Sequence, residues 1–291
     1  MKETQVSSNI RQEIKHLKLN WHFTNLCNMR CAFCYAAKNS TKPNLFAIAD
    51  KLKDFTFINL VGGEPTLHKD YSALVKYLAT NHKVSVVSNG TKFLLNNDIF
   101  TTTLQYCETI GISIDSVCTK TNILLGRSYG SKRAISENEY LWLCKRIKES
   151  GKRLKINTVV NSFNVDEDMN DFIEKAKPDV WKIFQVLPIE GYNTKAICIT
   201  DSEFKSFIQR HKRHSHIMQI EDNHCMTNSY IMLDSLGRFF NNIGGKYTYS
   251  QSVLDNGICV MDIFRSMNYD IQAYNNRYLI GAQNLHSTDS V

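Results

Sequence analysis

No run of eighteen apolar residues occurs in the 291-residue chain, so the usual sequence signature of a membrane-spanning helix is missing. Residues 1–20 carry no apolar core of the kind that directs secretion, and a cleaved leader is not expected. Repeats of solenoid length, low-complexity tracts and a convincing linker are also lacking. Their absence excludes an array of small modules and favours one domain. The nine cysteines are odd in number and irregularly spaced, which suits a reducing, cytoplasmic compartment better than a disulfide framework. Six of them, Cys107, Cys118, Cys144, Cys198, Cys225 and Cys259, read as thiols in or near the core, where free cysteine packs as a small hydrophobe.

What is present is a long alternation of apolar and amphipathic segments, 43% hydrophobic overall and enough for one large core. Strands are predicted over 19–23, 55–61, 84–88, 109–114, 154–159 and 181–187, and helices over 71–81, 137–150 and 165–175. The last of these helices is expected to carry its acidic residues in the first turn, where the helix dipole favours them. Six strand–helix units imply an α/β fold with a parallel sheet, whose chemistry gathers at the carboxyl ends of the strands. The net charge of +7 permits an anionic ligand without identifying one. The basic run 205–216, KSFIQRHKRHSH, lacks the stacking aromatics of a single-strand binder and reads as a solvated helix face, so no nucleic-acid partner is expected. The last fifteen or so residues are polar and are expected to be disordered.

Cys27, Cys31 and Cys34 fall within one eight-residue run directly after the first predicted strand. Three local thiolates can hold three corners of a four-iron cluster and leave one iron open for chemistry. A structural zinc site normally draws on a second Cys or His pair, and no second cysteine pair of that spacing lies downstream. Gly62-Gly63-Glu64-Pro65 closes the second predicted strand. By itself it would read as a turn.

Together, the cysteine run and Gly62-Gly63-Glu64-Pro65 resemble the two signatures of the radical S-adenosylmethionine (SAM) superfamily. Within it, the chain is similar to the viperins from about residue 18 to about residue 250. The similarity is carried in order by Asn20-Trp21-His22-Phe23-Thr24, Val86-Val87-Ser88-Asn89-Gly90, Ile112-Ser113-Ile114-Asp115-Ser116, Leu125-Gly126-Arg127, Lys155-Ile156-Asn157, Trp181-Lys182-Ile183-Phe184-Gln185 and the segment from Asn228 to Asp234. The first cysteine comes early, without the amphipathic amino-terminal helix of vertebrate viperins, so the chain resembles the shorter prokaryotic members. The resemblance implies a partial (β/α)6 barrel open on one side. A short segment 1–17 would precede a radical SAM core over 18–190, and an extension over 191–291 would cover it.

The resemblance also implies a chemistry. Cys27, Cys31 and Cys34 would hold a [4Fe-4S] cluster whose open iron chelates SAM. Gly62, Gly63, Glu64 and Pro65 would bind the cofactor's methionine end, the glycines by close backbone approach and Glu64 by accepting from its ammonium. Asn89 would lie near the cofactor ribose. Ser113 and Arg127 would meet the methionine carboxylate or the substrate phosphates. Lys155, Asn157 and Lys182 would bind the triphosphate of CTP, UTP or GTP. An electron from a flavodoxin- or ferredoxin-type reductant would yield a 5′-deoxyadenosyl radical that takes the hydrogen from ribose C4′. Loss of the 3′ hydroxyl would then give the 3′-deoxy-3′,4′-didehydro nucleotide, a chain terminator used in antiviral defence.

Three positions depart from that pattern. Vertebrate viperins carry basic phosphate ligands where this chain has Phe57 and Val180, and a serine where it has Val61. Lys132, Arg133 and Arg238 are near the right motifs and are expected to make up the charge. The departures leave open a radical SAM enzyme acting on a peptide or a nucleotide sugar, or a cluster-bearing nucleotide sensor. The lack of a second cysteine cluster argues against the peptide modifiers.

Overall fold

The computed structural model describes residues 16–36, 44–193 and 195–276. The expectation of a disordered tail after residue 276, and most of the segment 1–17, lie outside the described residues. Ten strands form one sheet in the order β10-β9-β8-β1-β2-β3-β4-β5-β6-β7. The strands are β1 Lys18–Thr24, β2 Phe57–Gly62, β3 Lys83–Ser88, β4 Thr109–Ser113, β5 Arg153–Val160, β6 Val180–Gln185, β7 Met218–Glu221, β8 Ile231–Leu233, β9 Arg238–Asn241 and β10 Thr248–Ser252. The six predicted strands are β1 to β6, within two residues at each end. They are not the whole parallel set, because β7 adds parallel to β6 and β8 adds parallel to β1. β9 and β10 continue the sheet antiparallel, and β7 and β10 stand at its two ends without pairing to each other. The barrel is therefore open.

Side-chain alternation decides which face of each strand meets which layer. In β1, Leu19, Trp21 and Phe23 are wholly buried in the main core, while Lys18, Asn20 and His22 turn to the opposite face and line a cavity. In β5, Leu154 and Ile156 enter the core, whereas Arg153, Lys155, Asn157 and Val159 line the cavity. Trp21 and Trp181 are the largest fully buried side chains, and truncating either to alanine would cost about 3–5 kcal/mol. Helices cover the apolar face. The helix Glu137–Glu149 starts at a reciprocal capping box of Ser136 and Glu139, which satisfies two amides that helix geometry leaves open.

Three expectations need correction. The helix predicted over 165–175 spans Asn170–Ala176, because Asn161 and Asn164 hold the preceding residues in a turn: the Asn164 side chain accepts from the Asn161 amide and donates to the Asp115 and Val159 carbonyls. Asp166, Glu167 and Asp168 thus precede the helix, and only Asp171 lies in its first turn. In the basic run, His211 and His214 are buried rather than solvated. His211 donates from Nδ1 to the Phe207 carbonyl, accepts at Nε2 from the Met169 amide and packs edge-on to Trp181; burial lowers its pKa and keeps it neutral. Among the six thiols, Cys107 and Cys144 are in the core, whereas Cys118 and Cys259 are exposed.

Candidate active site

A cavity of about 870 Å³ runs along the inner face of the sheet. Its upper end is formed by the carboxyl ends of β1 to β4 and the loops that leave them. Its floor is made by Lys18, Phe57, Thr109, Arg153 and Val180, each the first residue of its strand.

At the upper end the cysteine loop is docked by backbone bonds. The Arg30 amide donates to the Gly126 carbonyl at 3.0 Å and the Ala32 amide to the Leu125 carbonyl at 2.9 Å. Cys27, Cys31 and Cys34 all line the cavity. The Met29 amide points at the Cys27 sulfur (3.4 Å) and the Ala36 amide at the Cys34 sulfur (3.5 Å), contacts that suit a thiolate ligand. Burial pushes the metal-free Cys31 thiol up to about 11. Among the described residues, His, Cys, Asp or Glu donors within 4.8 Å of one another occur at Asp222, His224 and Cys225 and not at the three motif cysteines.

Gly62 and Gly63 sit where no other residue fits. A Cβ on Gly62, whose φ is +127°, would lie 2.2 Å from the Thr24 carbonyl oxygen, and one on Gly63 would lie 2.3 Å from that of Leu26. That closeness lets the Gly63 amide donate to Thr24 (2.7 Å) and the Glu64 amide to Leu26 (2.6 Å), stitching this motif to the start of the cysteine loop. The close approach is thus to the protein's own backbone. Glu64 is buried, and its carboxylate accepts from the Thr66 amide and hydroxyl, the Ser88 hydroxyl and the Asn89 amide. Most of its acceptor capacity is used in clipping the motif to β3, although burial still raises its pKa. Pro65 opens a short 3₁₀ turn and does not line the cavity.

Asn89 acts as a turn former: its Oδ1 accepts from Thr91, and its Nδ2 donates at 2.9 Å to Asn28, the neighbour of Cys27. Ser113 ends β4 and lines the cavity. Arg127 is buried against Asp115, donating from Nε, with its guanidinium 5.4 Å from the centre of the Phe33 ring. Asp115 in turn accepts from the Val159 amide at 2.8 Å, so the pair is anchored on both sides.

Lower in the cavity, Lys155, Asn157 and Lys182 come together as the alternation of β5 and β6 requires, with Asn157 in register with Lys182. The buried Asn157 Oδ1 has no hydrogen-bond partner, an open acceptor in a cavity wall. Lys182 is held 2.7 Å from Glu221, which also accepts from the Tyr230 hydroxyl. Burial, reinforced by the charges of Lys18 and Lys182, drives the Lys155 pKa well below that of an ordinary lysine. Cations that repel one another in a partly desolvated cavity are relieved by an anion.

The cations expected to make up the lost charge do not line this cavity. Arg133 pairs with Glu139 and Arg238 with Asp234, while Lys132 sits in a turn at φ 62°. The residues passed over in the sequence are Lys18, Arg153, His22 and a buried ladder in which Ser85 donates to Asn59 and Asn59 donates to Asn20, each at 2.8 Å. Their signal was available: polar Lys18, Asn20, His22 and Thr24 alternate with apolar Leu19, Trp21 and Phe23.

An open parallel barrel with three cysteines and a glycine pair at its upper rim defines a radical SAM protein, and the radical SAM superfamily model matches residues 21–176. Of solved structures, SuiB from Streptococcus suis bound to S-adenosylmethionine superposes with a TM-score of 0.68 at 18% identity, over 94% of this chain and 71% of that one. Native anSMEcpe with bound AdoMet gives 0.63 at 12% identity, over 89% and 82%. These likenesses concern the fold. The S-adenosylmethionine-dependent nucleotide dehydratase of Flammeovirga pacifica is 38% identical over 276 residues, 89% of this chain and 93% of the relative. That of Psychrobacter lutiphocae is 33% identical over 91% and 95%, and the dehydratase RSAD2 of Oncorhynchus mykiss is 35% identical over 82% and 73%. The chain belongs to the radical SAM superfamily and, within it, to the family of S-adenosylmethionine-dependent nucleotide dehydratases, the viperins.

Proposed function

We propose that this protein is a radical SAM nucleotide dehydratase that converts CTP, UTP or GTP to its 3′-deoxy-3′,4′-didehydro analogue, a chain terminator in antiviral defence. One observation carries the reading: a single cavity is lined by Cys27, Cys31 and Cys34 at its upper end and by mutually repelling cations lower down. Cys27, Cys31 and Cys34 hold the [4Fe-4S] cluster, and Gly62, Gly63, Glu64, Asn89, Ser113 and Arg127 form the cofactor's surroundings, with Pro65 shaping the turn after Glu64 rather than facing the ligand. When bound, the reduced cluster and S-adenosylmethionine supply one-electron cleavage of the sulfonium and hence a carbon-centred radical.

The chain's own part is positional. Lys155 and Lys182 hold phosphates by charge, the open Asn157 Oδ1 accepts from a substrate N–H or O–H, and Arg127, fixed by Asp115, faces both ligands. With the phosphates fixed below, the ribose is held at the cofactor end of the cavity, where misplacement by 1 Å can cost a hundredfold in rate. We place the core at 18–190 and read the chain from 191 onward as an extension that covers it; Tyr247, which donates at 3.0 Å to the Tyr35 carbonyl beside the cysteine loop, supports the covering role, while β7 and β8 of the same extension lengthen the parallel sheet. A small one-electron donor of the flavodoxin or ferredoxin type serves the cluster in the cytoplasm, with no nucleic-acid or membrane partner. Among the described residues no helix is long and apolar enough to cross a membrane.

The test is mass spectrometry of anaerobic reactions of cluster-loaded protein with dithionite, S-adenosylmethionine and each of CTP, UTP, GTP and ATP. Loss of one water from a nucleotide, matched by 5′-deoxyadenosine, is the expected result. Deoxyadenosine with every nucleotide intact would reject the substrate, and a colourless, iron-free protein would reject the class.

A further inference from the structure

The two basic positions that this chain lacks lie on the cavity floor. Phe57 is the first residue of β2 and Val180 the first of β6, and both line the cavity. Strand register shows what stands beside them. Lys18 is the direct partner of Phe57 across the β1–β2 ladder, roughly 4.8 Å away backbone to backbone. The partner of Val180 is Lys155, and Arg153 lies two residues before Lys155 on the same face of β5. Lys18 and Arg153 both line the cavity. They also sense each other, since the Arg153 charge, after burial, lowers the Lys18 pKa, and both charges act on Lys155. The acids nearby are Glu108, within the field of Lys18, and Glu221, already engaged by Lys182. The acids that line the cavity, Glu64 and Asp115, belong to its upper end. Among the described residues, the floor is left with an excess of positive charge.

We propose that Lys18 and Arg153 form the terminal-phosphate subsite of this protein, the cations having moved to neighbouring strands while the charge stayed at the same depth. This inference rests on the nucleotide reading above and adds the residues that select a triphosphate. The path from the floor to the cysteine loop is long enough for an extended nucleotide: the rise from Lys18 to Thr24 is roughly 20 Å. A phosphate chain lying along β5 and β6 meets Lys182 and Lys155 first and reaches Lys18 and Arg153 only when a third phosphate is present. Lys83, the other register neighbour of Phe57, lies with its ammonium 5.6 Å from the ring centre and does not line the cavity.

The experiment is isothermal titration of cluster-loaded protein, with S-adenosylmethionine and without oxygen, using the mono-, di- and triphosphate of the nucleoside that binds best. Lys18→Met and Arg153→Met are each expected to weaken triphosphate binding about tenfold, the value of one charge-assisted contact, and to leave the monophosphate unchanged. Lys18→Met combined with Phe57→Lys returns the charge to the adjacent strand and is expected to restore triphosphate affinity to within about threefold, which a misfolded variant could not do. Lys83→Met serves as the charge control and is expected to change nothing. Equal losses for all three nucleotides, or none, would overturn the subsite and leave the nucleotide reading standing. No binding of any nucleotide by the unaltered protein would overturn both.

Discussion

The two ends of the cavity are built on different principles. At the upper end the motifs are tied to one another by short hydrogen bonds: the Gly62-Gly63-Glu64 backbone to Thr24 and Leu26, the cysteine loop to Leu125 and Gly126, and the Glu64 carboxylate to Ser88 and Asn89 at the end of β3. At the floor the functional groups are long side chains projecting from the starts of separate strands, and few hydrogen bonds fix them. The upper end has to fix a cluster and a cofactor to a fraction of an ångström. The floor has only to present charge at a certain depth, and several residues can do that. One end therefore has little room for substitution at Gly62 and Gly63, while the other asks only for charge at the right depth.

The largest effect should come from the rigid end. Cys31→Ala is expected to abolish 5′-deoxyadenosine formation, since a cluster short of one thiolate is lost or loses its open-iron geometry. Unchanged deoxyadenosine production would refute the cluster assignment. Gly63→Ala should come next. The added methyl would meet the Leu26 carbonyl at 2.3 Å, and backbone rather than a flexible side chain would have to move. A displacement of this order should lower cofactor cleavage about a hundredfold. Retained cleavage, with normal iron content, would show that the stitch between the two motifs is dispensable.

Halfway down, a mixed outcome is expected. Lys182→Ala should raise the nucleotide KM about tenfold while changing nucleotide-free cofactor cleavage less than about twofold. It should also destabilise the fold by about 3 kcal/mol, because Glu221 is left buried without its cation. Adding Glu221→Gln to the lysine variant should recover most of that stability and none of the affinity. If KM and stability recover together, Lys182 holds the fold rather than the substrate.

The same contrast explains what could be read from sequence. The cofactor motifs were legible because they are contiguous, and contiguity is a consequence of loops that must close around a small group. The strands β1 to β6 were legible because their apolar runs are long and are separated by helical segments, whereas β7 to β10, of three to five residues each, were not. The floor was not, since Lys18 and Phe57 are far apart in sequence and become neighbours only through register. Arg133 and Arg238 seemed equally good cations in sequence, yet each is turned to a carboxylate of its own, Glu139 and Asp234. The helix predicted from residue 165 was displaced by side-chain bonds of Asn161 and Asn164 that no periodicity reveals.

Between the two ends lies His22, on which the smallest expected effect rests. It lines the cavity beside the Asn20 to Ser85 ladder and packs edge-on to Phe240, ring centres 5.1 Å apart. Burial lowers its pKa to about 4 from the ordinary 6.5, so it is neutral at working pH. The unfolded chain takes up this proton first as pH falls. The contribution of His22 to stability is therefore complete above pH 6.5, is lost progressively between about 6.5 and 4, and is gone below. His22→Gln should flatten the decline of stability over that window by about 3 kcal/mol, measured by urea unfolding of cluster-free protein at several pH values. An unaltered slope would mean that the ring finds water or a carboxylate when protonated. The middle of the cavity would then be polar enough to admit a charged substrate group, and the division between a rigid neutral upper half and a cationic floor would have to be redrawn at the level of β1.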